Sequence, residues 1–100
     1  MHLVVRDAAE GDIAEGARWY EQRSAGLGSE FLRAVDVALS EIARMPARYP
    51  IVRGTVRRAL IRRFPYAVFF VAQPDLISVL ACLHVRRHPQ GWQRRSEADG

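Results

Sequence analysis

The sequence predicts an α+β fold in the order β-α-α-β-β-β, with an N-terminal helical hairpin packed on an antiparallel sheet. Three observations lead there. A β-branched run, HLVVR (2–6), precedes any helical periodicity; two consecutive stretches then carry apolar residues at helical spacing; and after MPARYP (45–50) only strand-like runs follow, joined by connections of hairpin length.

Asp7 follows the first strand and Glu10 stands three positions on, so the sequence places an N-cap and its capping-box partner there, with a helix over about 8–23. Ile13, Ala14, Ala17 and Tyr20 form its burying stripe, and acids crowd its first two turns, where the helix dipole favours them. SAGLG (24–28) breaks that helix with two glycines. The second helix, about 29–44, sets Phe31, Leu32, Val35, Ala38, Leu39 and Ile42 against Glu30, Arg33, Asp36 and Glu41, the strongest periodic signal in the chain. Pro46 ends it and Pro50 holds Tyr49 extended.

Residues 55–61, 66–72 and 76–85 then read as a three-stranded meander. In its last two strands both alternating faces are apolar: Tyr66, Val68 and Phe70 oppose Ala67, Phe69 and Val71, while Leu76, Leu80 and Cys82 oppose Ile77, Val79 and Leu83. One helical hairpin covers one face. The other is expected to lie under the C-terminal segment or to await a partner, which would leave part of Val68, Phe70 and Leu80 exposed.

One hundred residues, 49% hydrophobic and 26% charged, make one domain over 1–93 with a frayed tail over 94–100. No apolar run is long enough to span a bilayer and no signal peptide is visible, so the chain is expected in the cytoplasm, away from membranes. Cys82, the single cysteine, reads as a small buried hydrophobe. The three histidines lack paired ligand spacing, so neither metal nor cofactor is expected.

Charge is divided unevenly. Residues 1–50 hold six arginines against eight acids, whereas 51–100 hold nine arginines against three, which together make the overall +4. There is no lysine, and arginine's planar fork suits phosphate, carboxylate and aromatic partners. The arginines come in pairs: Arg57-Arg58, Arg62-Arg63, Arg86-Arg87 and Arg94-Arg95. Each is either a solvated rim that protects a sheet edge or a contact to something anionic.

DIAEGARWYEQRSAGLGSEFL, MPARYP, VRRALIRRFPYAVFF and ISVLACLHVRRHPQGW, in this order and spacing, resemble the RelE/ParE toxin superfamily of type II toxin-antitoxin systems, which includes plasmid stabilisation proteins. The resemblance covers roughly residues 3–92. It implies a cognate antitoxin whose C-terminal segment wraps and neutralises the chain in a hetero-oligomer, and a target that is either DNA gyrase or mRNA on the ribosome. In the RelE-like branch basic residues stabilise the scissile phosphate and a late tyrosine or histidine moves the proton, which would assign Arg58, His84 and Arg86 as the catalytic set. Two departures weigh against that branch: Ala67 stands where the nucleases typically carry arginine, and Trp92 where they typically carry tyrosine. His84 is either a strand-end packing residue or an acid-base group; His88 reads as a solvated loop residue.

RRFPYAVFF looks more like the ParE branch, which binds gyrase. The expectation is therefore a ParE-like gyrase inhibitor that causes growth arrest, with an mRNA endonuclease as the alternative and an inactive relic or a general nucleic-acid-binding module third. Under the favoured reading Arg57, Arg58, Arg62, Arg63, Arg86, Arg87 and Trp92 form the surface that meets target or antitoxin. Acids of the antitoxin are expected at Arg57, Arg58, Arg62 and Arg86.

Overall fold

The apolar residues of 66–84 are too many for one sheet face, and the computed structural model shows both faces of this hairpin covered. It describes residues 2–87 together with Trp92, Gln93 and Arg95. In chain order the elements are β1 (Leu3–Val5), α1 (Asp7–Arg23), α2 (Leu27–Arg44), a 3-10 turn (Pro46–Arg48), β2 (Ile51–Arg53), β3 (Val56–Leu60), β4 (Tyr66–Ala72) and β5 (Ile77–His84). The strands form one sheet in the order β1-β5-β4-β3-β2.

The predicted meander is present as β3, β4 and β5, but the sheet is mixed. β1 runs parallel to β5, with Leu3 opposite Ile77 and Val5 opposite Val79. β2, a three-residue edge strand that the sequence reading did not mark, pairs antiparallel with β3. Its brevity and the Gly54 turn after it, at φ 56°, leave too short a run for alternation to show.

β5 carries a bulge. Phe69 pairs with Ala81 and Phe70 with Val79, so Leu80 is an extra residue and the alternation changes phase there. Ile77, Val79 and Cys82 consequently pack toward the helices with Val68 and Phe70, while Leu80, Ala81 and Leu83 join Val56, Ala67 and Phe69 on the far face. The grouping of Leu80 with Cys82 expected from strict alternation is thus corrected. Trp92 closes the far face, its ring stacked on Phe69 at a centroid distance of 5.2 Å. Val68, Phe70 and Leu80 are all buried, so the exposed patch expected at these three residues is absent.

The helical hairpin also starts differently. Arg6, extended, occupies the N-cap of α1 and its side chain makes no capping bond, and Asp7 is already the first helical residue, where its charge favours the dipole but caps nothing. Gly26 precedes α2 in the left-handed conformation, φ 91°, that glycine adopts without penalty. The capping group comes from α1 instead: the Glu21 carboxylate accepts from the Gly26 N–H at 3.0 Å and the Gly28 N–H at 3.0 Å. That reach sets the start of α2 at Leu27, two residues before the sequence-based boundary.

No helix among the described residues is long and apolar enough to cross a membrane. α1 and α2 meet closely at Gly28, where a Cβ would stand 2.6 Å from the Ala17 carbonyl oxygen, a backbone atom that cannot swing away. Gly28→Ala is expected to cost about 2 kcal/mol, read as a lower denaturation midpoint at unchanged m-value.

Candidate functional site

Arg57 and Arg58 are neighbours on β3 and point to opposite faces, whereas the pairs at 62–63 and 86–87 lie in the turns that follow β3 and β5. Arg57 turns inward and donates to the carbonyls of Tyr49 at 2.6 Å and Ala47 at 3.4 Å, tying the 3-10 turn to β3. Arg58 is exposed and makes no side-chain bond among the described residues. Arg63, in a left-handed turn conformation at φ 73°, pairs with Glu30 at 2.8 Å, whereas Arg62 beside it is exposed and unpaired among the described residues. Arg87 donates to the Tyr66 hydroxyl at 3.1 Å and lies over the Trp19 ring, leaving Arg86 outward. Arg95 is bound to Asp12, while Arg94 lies outside the described residues. In the three pairs described in full, one arginine has a partner within the chain and the other makes no side-chain bond among the described residues.

Arg58 and Arg62 share a cleft of about 320 Å³ between α2 and β3. Ala34, Val37 and Ala38 line it from α2, and Ala59 and the exposed edge at Leu60 from β3, with Arg48 at the rim. The one acid of its lining, Glu41, accepts from Arg48 at 3.4 Å and from the Tyr49 hydroxyl at 3.5 Å. The cleft is therefore apolar at its base and positive at its mouth.

A second cavity, about 250 Å³, opens at the edge of β5 past the end of β1, among Asp12, Glu15, Trp19, Tyr66, His84, Arg87 and Arg95. His84 accepts the backbone N–H groups of Arg86 at 3.1 Å and Arg87 at 3.3 Å on Nδ1, which ties down the turn after β5. Burial pushes the Tyr66 phenol up, and the Arg87 guanidinium opposes the shift. At the bulge the backbone would lack partners, and α1 and the C-terminal segment supply them: Asp12 accepts from the Cys82 N–H at 2.9 Å and Arg95 donates to the Leu80 carbonyl at 3.2 Å. Arg95 and Asp12 also form a two-pronged ion pair, one prong at 3.1 Å, that raises Arg95 further above its ordinary pKa. Arg95, which the sequence assigns to a frayed tail, is thus anchored.

Of the RelE-like set, Arg58 stands on β3 opposite Phe69, His84 ends β5 and lines the β5-edge cavity, and Arg86 is exposed in the turn after it. His88 lies outside the described residues. On the far face the two diagnostic positions are both interior: Ala67 is fully buried and Trp92, expected at a binding surface, is 6% exposed. The hydrophobic cluster around them holds Val56, Phe69, Leu80, Ala81 and Leu83, and the exposed Arg58 stands opposite Phe69 on the same face. Sequence reasoning missed Asp12, Glu21, Arg48 and Arg95; Glu21 and Asp12 reach partners set by the turn and the bulge, which no local pattern announces.

No family model matches the chain, and no curated protein matches it. Among solved structures it is similar to a chain of the chromosomal ParDE TA system from P. aeruginosa, at 18% identity and a TM-score of 0.66, covering 84% of this chain and 95% of that one. At that identity the likeness is one of fold.

Burial, and secondarily Asp12, push the Cys82 thiol up to about 12. The native thiol should resist alkylation at pH 8 and react after denaturation. Because the folded value lies above the unfolded one, near the ordinary 9.0, the folded state keeps a proton that the unfolded state loses, and stability should fall as pH rises from 9 toward 12. Asp12→Ala strips Arg95 and the Cys82 N–H of their acceptor together, and should lower stability by about 2 kcal/mol in urea titration.

Proposed function

We propose that this chain is the toxin subunit of a type II toxin-antitoxin pair, held inactive in the cytoplasm by a partner protein, and that it acts by binding a protein target, DNA gyrase, without cutting RNA. The observation that carries this choice is the far face of the sheet. A nuclease needs charge stabilisation and a proton carrier converging on one phosphate. Here the positions that would supply them hold a buried Ala67 and a buried Trp92, packed among aliphatic and aromatic side chains. The likeness in fold to a chain of a ParDE system supports the toxin-antitoxin setting.

On this reading the outward arginines, Arg58, Arg62 and Arg86, are contacts for macromolecular partners, and Arg57, Arg63 and Arg87 serve mainly to shape the surface that presents them. A docking surface tolerates this separation; a catalytic centre does not.

Induction of the chain in cells lacking the partner is expected to arrest growth and raise the DNA-damage response, and the purified protein to block supercoiling by gyrase. Primer extension that finds codon-specific cuts in mRNA after induction would install the nuclease reading in its place. Normal growth of cells that make folded protein would overturn the toxin assignment.

A further inference from the structure

Resting on the reading of this chain as a toxin that binds a protein target, we propose that its grip on that target is the open end of the sheet's far face, where Leu60, Pro65 and Val85 stand beside Arg58 and Arg86. What docks there is an acidic protein surface that carries an apolar side chain.

Pairing register brings these residues together. Leu60 and Leu83 flank Ala67 across β4, and Arg58 stands one row back, opposite Phe69. The Val85 N–H donates to the Pro65 carbonyl at 2.9 Å, so the ladder runs one step past the end of β5, and alternation returns Val85 and Pro65 to the face of Leu83 and Ala67. Trp92 covers the row behind, stacked on Phe69, but this end stays open: Leu60 is 63% exposed and Val85 37% exposed, with Pro65 exposed at the start of β4 between them. Val56, Ala81 and Leu83 on the same face are buried. The open end is therefore a local gap in the cover of an otherwise dry face.

Charge gives the occupant its sign. β3 and β5 end where β4 begins, so the turns that carry Arg62 and Arg86 lie at this same end of the sheet. Arg63 and Arg87, their neighbours, are committed to Glu30 and to the Tyr66 hydroxyl. Arg58, Arg62 and Arg86 are exposed and make no side-chain bond among the described residues, and none of the residues named on the far face is acidic. Uncommitted guanidinium forks around an apolar strip match carboxylates at the rim of a partner and an apolar anchor at its centre. RNA would satisfy the arginines, but Leu60 and Val85 offer no ring on which a base could stack, so the strip favours protein.

The test uses the intact chain and purified gyrase, and reads the chain concentration that half-inhibits supercoiling. Leu60→Asp and Val85→Asp should each raise that concentration about 10-fold, with Leu60→Ala and Val85→Ala as milder variants should the charged ones disturb the fold. Arg58→Glu should raise it about 10-fold at low salt and less at high salt. Leu32→Asp, at an exposed apolar residue of α2, should leave it unchanged. Folding of each variant is checked by circular dichroism and by its denaturation midpoint. Inhibition by the folded Leu60, Val85 and Arg58 variants equal to that of the wild type, or a loss in Leu32→Asp as large as theirs, overturns this surface and leaves the gyrase reading standing. Labelled single-stranded RNA that binds the wild-type chain and is lost in Arg58→Glu, with gyrase inhibition intact, also overturns it. Failure of the wild-type chain to inhibit gyrase removes the gyrase reading and this surface with it.

Discussion

Four aromatic rings decide how the helices sit on the sheet. Tyr20 of α1, Phe31 of α2, Phe64 of the β3–β4 turn and Tyr66 of β4 pack mostly edge to face, with Tyr20–Phe64 at 4.8 Å and Phe31–Tyr66 at 4.9 Å between centroids. Quadrupoles favour such tilted contacts over face-to-face stacks, so the cluster specifies direction as well as burial. Gly16 makes room for it: a Cβ there would stand 2.9 Å from the Phe31 ring. With the rings seated, α1 lies along β5 and brings Asp12 to Cys82, and α2 lies along β3 and forms the wall of the arginine-rimmed cleft. Both cavities follow from one packing choice.

The division of labour within the arginine pairs follows from the same geometry. On β3 alternation separates Arg57 from Arg58, and in the turn after it the left-handed backbone of Arg63 separates that residue from Arg62. Arg57 is drawn in to the Tyr49 carbonyl and Arg58 is left out; Arg63 turns back to Glu30 and Arg62 stays in solvent. The basic character of the second half is therefore partly scaffold. Net charge alone overstates how much of it a partner can meet.

Much of the architecture could be read from the chain because its signals were local. The stripe of Phe31, Val35, Ala38 and Ile42 needs only helical periodicity, and β4 needs only its unbroken apolar run. What stayed hidden depends on contacts distant in sequence. Leu80 shifts the phase of β5 because of how β4 pairs with it, Glu21 caps a helix that begins after the next turn, and Asp12 meets Arg95 only when both ends of the chain reach the bulge. The arginines of the candidate surface were visible as pairs, yet which member faces out was set by pairing register and by acids such as Glu30. Trp92 was misplaced at the surface for a similar reason: only the far-face cluster shows that its ring is needed as cover.

The parallel pairing of β1 with β5 also governs when the fold can exist during synthesis. Leu3 waits for Ile77, and Asp12 for Arg95, so the first strand and first helix leave the ribosome long before their partners. The helical hairpin, whose contacts are near in sequence, can form early; the sheet edge beside it cannot close until nearly the whole chain has emerged. A nascent or truncated chain therefore lacks both the β5 edge and the lid of its far face. Until Trp92 and Arg95 have emerged, the far face lacks its cover and the bulge lacks its ion pair, so the surface around β5 is among the last parts to be finished.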